Sequence, residues 1–167
     1  TGNNVVIRDM YINGNGTASQ FEVAGPYCII DNIFSTGHAS YQLNITTTGF
    51  CRVSNSTFIG QVKTVSNGLN FTGNYLNGNG NTTTLVVNAG ANVMIRGNVL
   101  ESYTTAIAIA TSGTNVVVSA NVENNYFESS FDNGSSVIQV SHASPSSYTV
   151  NINNNYFGPT NANYFID

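Results

Sequence analysis

One short pattern recurs along the chain and constrains its fold more than any other feature: Φ-x-Φ-x-x-N-x-Φ, where Φ is apolar. It reads Val150, Ile152, Asn155, Phe157 in "VNINNNYF" and Ala120, Val122, Asn125, Phe127 in "ANVENNYF". It returns as Val93, Ile95, Asn98, Leu100, as Leu69, Phe71, Asn74, Leu76, and as Tyr27, Ile29, Asn32, Phe34. With the Asn replaced it fits Cys51, Val53, Ser56, Phe58 and Val5, Ile7, Met10, Ile12, seven copies in all, spaced 18 to 30 residues apart. Between copies lies a second alternating run, such as "QFEVAG", "YQLNIT", "TTLVVN" or "SVIQVS", bounded by the turn formers Gly, Asn, Ser and Thr.

A period of this length with at least two strands per unit is the signature of a solenoid. Period-2 alternation excludes helical repeats, and the Leu columns of leucine-rich repeats are missing. The expectation is all-β: a right-handed, single-stranded parallel β-helix of about seven coils, each stacked on the last at ~4.8 Å. In such a coil both Φ side chains of the first strand point inward and the chain then turns sharply. Asn tolerates the left-handed backbone of such a corner, and stacked amides can hydrogen-bond along the axis. Asn32, Asn74, Asn98, Asn125 and Asn155 are therefore read as a structural ladder at one corner.

Composition agrees. Apolar residues make up 41% of the 167 positions, enough for one core, while charged residues are only 7%. Polarity is carried by Asn, Ser, Thr and Gly, and β-branched residues outnumber good helix formers. Four basic residues and a net charge of −4 offer no basic footprint for nucleic acid. No apolar run is long enough for a helical membrane span, and the N-terminus lacks a signal-peptide layout. Coils begin within five residues of the start, "NANYFID" resembles the opening of another, and neither end has the polar cap a solenoid needs. Residues 1–167 are thus expected to form a single β-helix domain, either a segment of a longer chain or a module packed against partners at both ends.

The pattern resembles that of the right-handed parallel β-helix proteins, the pectate-lyase-like enzymes and most closely the tailspikes of bacteriophages. The resemblance runs from Val5 to Phe157 and concerns coils rather than a site. It implies a homotrimeric virion appendage, or otherwise an extracellular protein, that binds and often cleaves bacterial surface polysaccharide. No catalytic motif of a subfamily is present to carry over.

Register places outward residues in columns. The position before the last inward Φ reads Tyr11, Ile33, Thr57, Tyr75, Val99, Tyr126, Tyr156. Such a stripe suits stacking on sugar rings or packing between subunits, and Ile33 and Val99 favour the subunit face. The next outward column reads Asn13, Ser35, Ile59, Asn77, Glu101, Glu128, Gly158. Glu101 and Glu128 fall one coil apart, ~5 Å, near the carboxylate separation of a retaining glycosidase. Repulsion would raise one pKa and supply an acid beside a base or nucleophile. The alternative is two solvated surface glutamates. A glycan site is sought at Glu101 and Glu128 as catalytic residues, with Tyr75, Tyr126 and Asp132 as sugar contacts.

Other polar residues have simpler readings. Arg96 and Glu123 share a column and are expected to pair across coils. Asp9 and Asp31 are placed at one corner, where they either share a cation or serve the turn. His38 and His142 lie in loops without evident partners. Cys28 is placed outward and Cys51 inward, which predicts two free thiols. The pattern calls for no cofactor and no metal ion. Two classes of function stand: a polysaccharide depolymerase, hydrolase or lyase, and a non-catalytic binding or structural module, which the smooth uncharged exterior suits.

Overall fold

The repeats become strands that run side by side. The computed structural model describes residues 4–17, 20–46, 49–79, 83–88, 92–110, 117–130, 136–141, 147–158 and 164–166. These are all-β, without a helix, and every strand pair is parallel. A 12-stranded sheet holds the Φ-x-Φ-x-x-N-x-Φ copies. In the first two repeats each copy is one long strand, Val5–Asn13 and Tyr27–Thr36. From the third repeat onward it divides in two, as in Phe50–Ser54 with Thr57–Ile59 and Gly68–Thr72 with Tyr75–Asn77. The intervening runs form a seven-stranded parallel sheet from Gln20–Val23 to Tyr164–Ile166. Strands that pair in register with the strand of the next repeat are the arrangement of a parallel β-helix or solenoid.

Inward columns fill the space between the sheets. Cys28, Cys51, Leu69, Val93 and Ala120 make one column, and Ile30, Val53, Phe71, Ile95 and Val122 the next, all at most 1% exposed. Phe58, Leu76, Leu100 and Phe127 make a third, opposed by Leu43, Val62, Leu85, Ile107 and Ile138 of the second sheet. Burying each large aliphatic or aromatic side chain contributes about 1.5–3 kcal/mol.

The second repeat corrects the sequence reading. Its inward residues are Cys28, Ile30, Ile33 and Ser35, not Tyr27, Ile29, Asn32 and Phe34. Two overlapping alternations in "YCIIDNIFS" fit the same pattern one residue apart, and a one-residue slip exchanges the faces. Cys28 consequently points inward opposite Cys51, and the two form a disulfide. The expectation of free thiols fails for that reason.

The paired polar residues at the corner divide the work. The left-handed backbone is adopted by Asp9, Asn32, Asn55, Gly73, Gly97, Asn124 and Asn154, with φ between 50° and 65°. These are the residue types that tolerate it. In the last four repeats the following residue, Asn74, Asn98, Asn125 or Asn155, turns its amide inward. Asn74 Nδ2 donates to Asn98 Oδ1 at 3.1 Å, Asn98 to Asn125 at 2.9 Å, and Asn125 to Asn155 at 3.0 Å. Each Nδ2 also reaches a backbone carbonyl of the preceding repeat, as Asn98 does to Phe71 at 3.0 Å. Asn32 has no place in this file. It occupies the left-handed position, where its Nδ2 donates to Asp9 Oδ1 at 2.8 Å, while Ile33 fills the inward site.

Candidate functional site

The outward face of the strands Tyr75–Asn77, Val99–Tyr103 and Tyr126–Ser130 carries the residues of interest, because alternation places Tyr75 with Asn77, Val99 with Glu101, and Tyr126 with Glu128 on one side. Tyr75, Val99, Tyr126 and Tyr156 are register partners in one column; Asn77, Glu101 and Glu128 are partners in the next. Neighbouring strands lie ~4.8 Å apart, which sets the spacing of the two glutamates at their Cα atoms. Earlier in the columns the slip of the second repeat substitutes Phe34 for Ile33 beside Tyr11, and Thr36 for Ser35 beside Asn13.

Glu101 is held by two side chains. Tyr75 Oη donates to its Oε1, and Asn77 Nδ2 donates to the same oxygen at 2.9 Å. Burial pushes the Glu101 carboxyl above the ordinary glutamate range, and the neighbouring Glu128 charge pushes the same way. The Tyr126 phenol is raised by burial, by the Glu128 charge and by its hydrogen bond to Glu128. Its ring stacks on Tyr156 with centroids 5.0 Å apart and 10° between planes. A Cβ at Gly158 would stand 3.1 Å from the Tyr126 hydroxyl, so the absence of a side chain there leaves the ring its place. The result is a carboxyl of raised pKa beside a second carboxylate, flanked by aromatic rings and amide donors.

Asn77 belongs to this site although sequence reasoning gave it no role; its position two residues after Tyr75 on the same outward face was the available signal. Asp132 and His142 lie outside the described residues. Arg96 and Glu123 are register partners with nitrogen and oxygen 3.8 Å apart, an exposed pair of little energetic weight. Asp9 and Asp31 do not share a column. Asp31 is partnered by Arg8 and Ser54 in register, and its Oδ1 accepts from Ser54 Oγ at 2.6 Å and Asn55 Nδ2 at 3.0 Å. Among the described residues no three His, Cys, Asp or Glu converge in a way that would hold a metal ion.

Hollows also lie elsewhere among the described residues. An apolar cleft of about 390 Å³ runs along Val5, Val6, Tyr27, Ile29 and Phe50, whose outer side chains are largely exposed. A smaller polar notch of about 230 Å³ lies at the edge where the two sheets join, walled by His38, Ser40 and Asn79 with Gly60 and Gln61 at its base.

Comparison with protein-family models, with curated proteins and with solved structures finds no match to this chain. Among the described residues no helix is long and apolar enough to cross a membrane.

Proposed function

We propose that this chain is a right-handed parallel β-helix of about seven coils with an Asn ladder at one corner, and that it serves as a tailspike-type module engaging bacterial surface polysaccharide. The observation that carries the reading is the face where Glu101 and Glu128 stand in register, with Tyr75 and Asn77 bound to Glu101. Sugars need planar apolar surface and convergent hydrogen-bonding groups, and this face offers both. A carboxyl of raised pKa one strand from a carboxylate is also the pairing with which a retaining glycosidase donates a proton and attacks the anomeric carbon. In that chemistry Glu101 is the acid and Glu128 the nucleophile, while Tyr126 holds Glu128 by hydrogen bond. The buried Cys28–Cys51 disulfide supports assembly in an oxidising setting, as for a virion appendage or another extracellular protein.

A second reading is a non-catalytic structural or adhesin module working as a homotrimer. It is favoured by the exposed Val6, Tyr27, Ile29 and Phe50 of the first three repeats, which suit packing between subunits better than sugar binding. The deciding experiment is the chain-length distribution of capsule and O-antigen polysaccharides before and after incubation with the protein, with Glu101→Gln and Glu128→Gln alongside. Shortening by the parent alone supports the depolymerase. Shortening by all three keeps an enzyme and removes these residues. Retention of a polysaccharide without shortening supports a binding module.

A further inference from the structure

The linkers that join the two sheets at the edge beside Glu101 differ in length. Thr36 to Tyr41 and Asn77 to Thr83 are bridged by several residues, whereas Ile59 and Val62 are separated by Gly60 and Gln61 alone. A short linker between longer ones makes a notch, and its base is held low. Gly60 has φ 128°, and a Cβ there would come within 2.8 Å of the Gln42 amide nitrogen. Gln42 itself is fixed by accepting from the His38 N–H at 3.3 Å and donating to the His38 carbonyl at 3.0 Å.

The chemistry of the lining is uniform. Ser40, Gln61 and Asn79 supply hydroxyl and amide groups, and among the described residues no Lys, Arg, Asp or Glu lines the notch. Its volume of about 230 Å³ lies below the roughly 300–1,000 Å³ of pockets for drug-sized ligands, the scale of one small polar molecule. His38 adds an independent sign. Both of its ring nitrogens are covered and neither has a hydrogen-bond partner, a condition that costs free energy in a folded protein. An incoming hydroxyl that meets a turned imidazole relieves it. The base of the notch also borders the candidate site: Ile59, Asn77 and Glu101 are successive register partners, so Ile59 stands two strand spacings, ~10 Å, from Glu101.

We propose that this notch binds a single neutral sugar residue through Ser40, Gln61, Asn79 and a reoriented His38. Its place as a further subsite of the Glu101 face rests on the function proposed above. Neutrality follows from the lining, since a hexuronate would find no countercharge and would lose hydration without compensation.

The test is NMR on the ¹⁵N-labelled protein, following backbone amides and the His38 ring nitrogens during titration with D-glucose, D-galactose and D-mannose, with D-glucuronate as the charged control. At ~50 mM, well above a millimolar Kd, at least one neutral hexose is expected to shift Ser40, Gly60, Gln61, Asn79 and the His38 ring in a saturable way. Glucuronate should bind at least tenfold more weakly. Ser40→Trp should abolish the notch shifts while the Glu101 and Glu128 amides keep the parent's response. Absence of notch shifts with all three neutral hexoses overturns the proposal, as does glucuronate binding as tightly as they do. Shifts confined to Glu101 and Glu128 sink the notch and leave the polysaccharide reading standing. Notch shifts with no response at Glu101 to a retained polysaccharide support the notch and remove the reading of the acidic face.

Discussion

Asn98 holds two neighbours at once: its Nδ2 donates to Asn125 Oδ1 at 2.9 Å, and Asn125 Oδ1 also accepts the Asn98 backbone N–H at 3.0 Å. On its other side Asn98 Oδ1 accepts the backbone N–H and the side-chain amide of Asn74 at 2.9 and 3.1 Å. The residue is 1% exposed. Asn98→Ala therefore leaves the Asn74 backbone N–H without its acceptor, and takes one hydrogen bond from the Phe71 carbonyl and one from the Asn74 amide, which keeps its bond to the Val53 carbonyl. With one buried orphan at ~1–3 kcal/mol and two further lost bonds at ~0.5–1.5 kcal/mol each, moderated by relaxation, the loss is expected at ~2–4 kcal/mol. Asn98→Asp should be similarly harmful, since a carboxylate cannot donate to Phe71 and faces the Asn125 oxygen. Asn155→Ala, half-buried at the last copy, should lose less because solvent can replace part of its bonding. Urea unfolding midpoints check all three, and an Asn98→Ala midpoint equal to the parent's would show that the amide file carries no stability.

The Cys28–Cys51 cross-link joins strands that are already in register and closes a loop 23 residues long. On the chain-entropy account such a loop stabilises by about 3 kcal/mol through the unfolded state. The double variant Cys28→Ser, Cys51→Ser adds two buried hydroxyls and should lose somewhat more than that. Cys28→Ala with Cys51→Ala isolates the cross-link better. Denaturant midpoints of the parent with and without reductant should differ, while the double-alanine variant is indifferent to reductant. Equal parent midpoints would mean that the cross-link contributes nothing to stability.

The two cysteines also show where sequence reading stops. From the third repeat on, only one alternation in each copy fits, and the inward residues Val53, Phe71, Ile95 and Val122 are legible without coordinates. In "YCIIDNIFS" apolar residues occupy both faces, so pattern alone cannot decide which is inside. Register with Cys51 and Val53 decides it. The doubled Asn before Tyr-Phe was legible as a corner, but its division of labour was not. Propensity says that Asn accepts a left-handed backbone, not which of two adjacent ones does so. Glu101 and Glu128 could be paired from column counting alone, since both follow the last inward Φ by one residue. Asn77 as a Glu101 partner and the notch at Gly60 required side-chain directions and linker geometry, which no residue pattern encodes.

Glu101 and Asp31 should titrate in opposite directions from ordinary carboxylates. Asp31 is lowered, first by the hydrogen bond from Ser54, so its contribution is present above the unfolded value near 3.8 and is lost as pH falls through the folded one. Glu101 is raised, first by burial and then by Glu128, so the folded chain holds that proton more tightly and stability declines as pH rises past the unfolded value near 4.5. Glu128→Gln should bring the Glu101 pKa down only part of the way, because burial remains. Ser54→Ala should raise that of Asp31. Carboxyl-carbon NMR titrations read both, and a Glu101 value fully restored by Glu128→Gln would assign the shift to charge rather than to burial.

His38 should make the fold acid-sensitive. Burial lowers its pKa below the ordinary histidine value of 6.5, and among the described residues no charged one lines the notch beside it to compensate a proton. The unfolded chain therefore takes up the proton more readily than the folded one. Stability is complete above pH 6.5 and falls as pH drops through and below that value toward the folded one. Glu101 acts in the opposite sense at the lower end of this range, so the comparison belongs in a Glu101→Gln background. In that background urea midpoints should fall between about pH 7 and pH 5, the span in which histidine titrates. His38→Phe keeps a planar ring of similar size and removes the titration, so its midpoint should be flatter across the same span. Parallel pH profiles for the two proteins would show that the imidazole is as free to charge in the folded chain as in the unfolded one, and that the unpaired ring nitrogens impose no penalty.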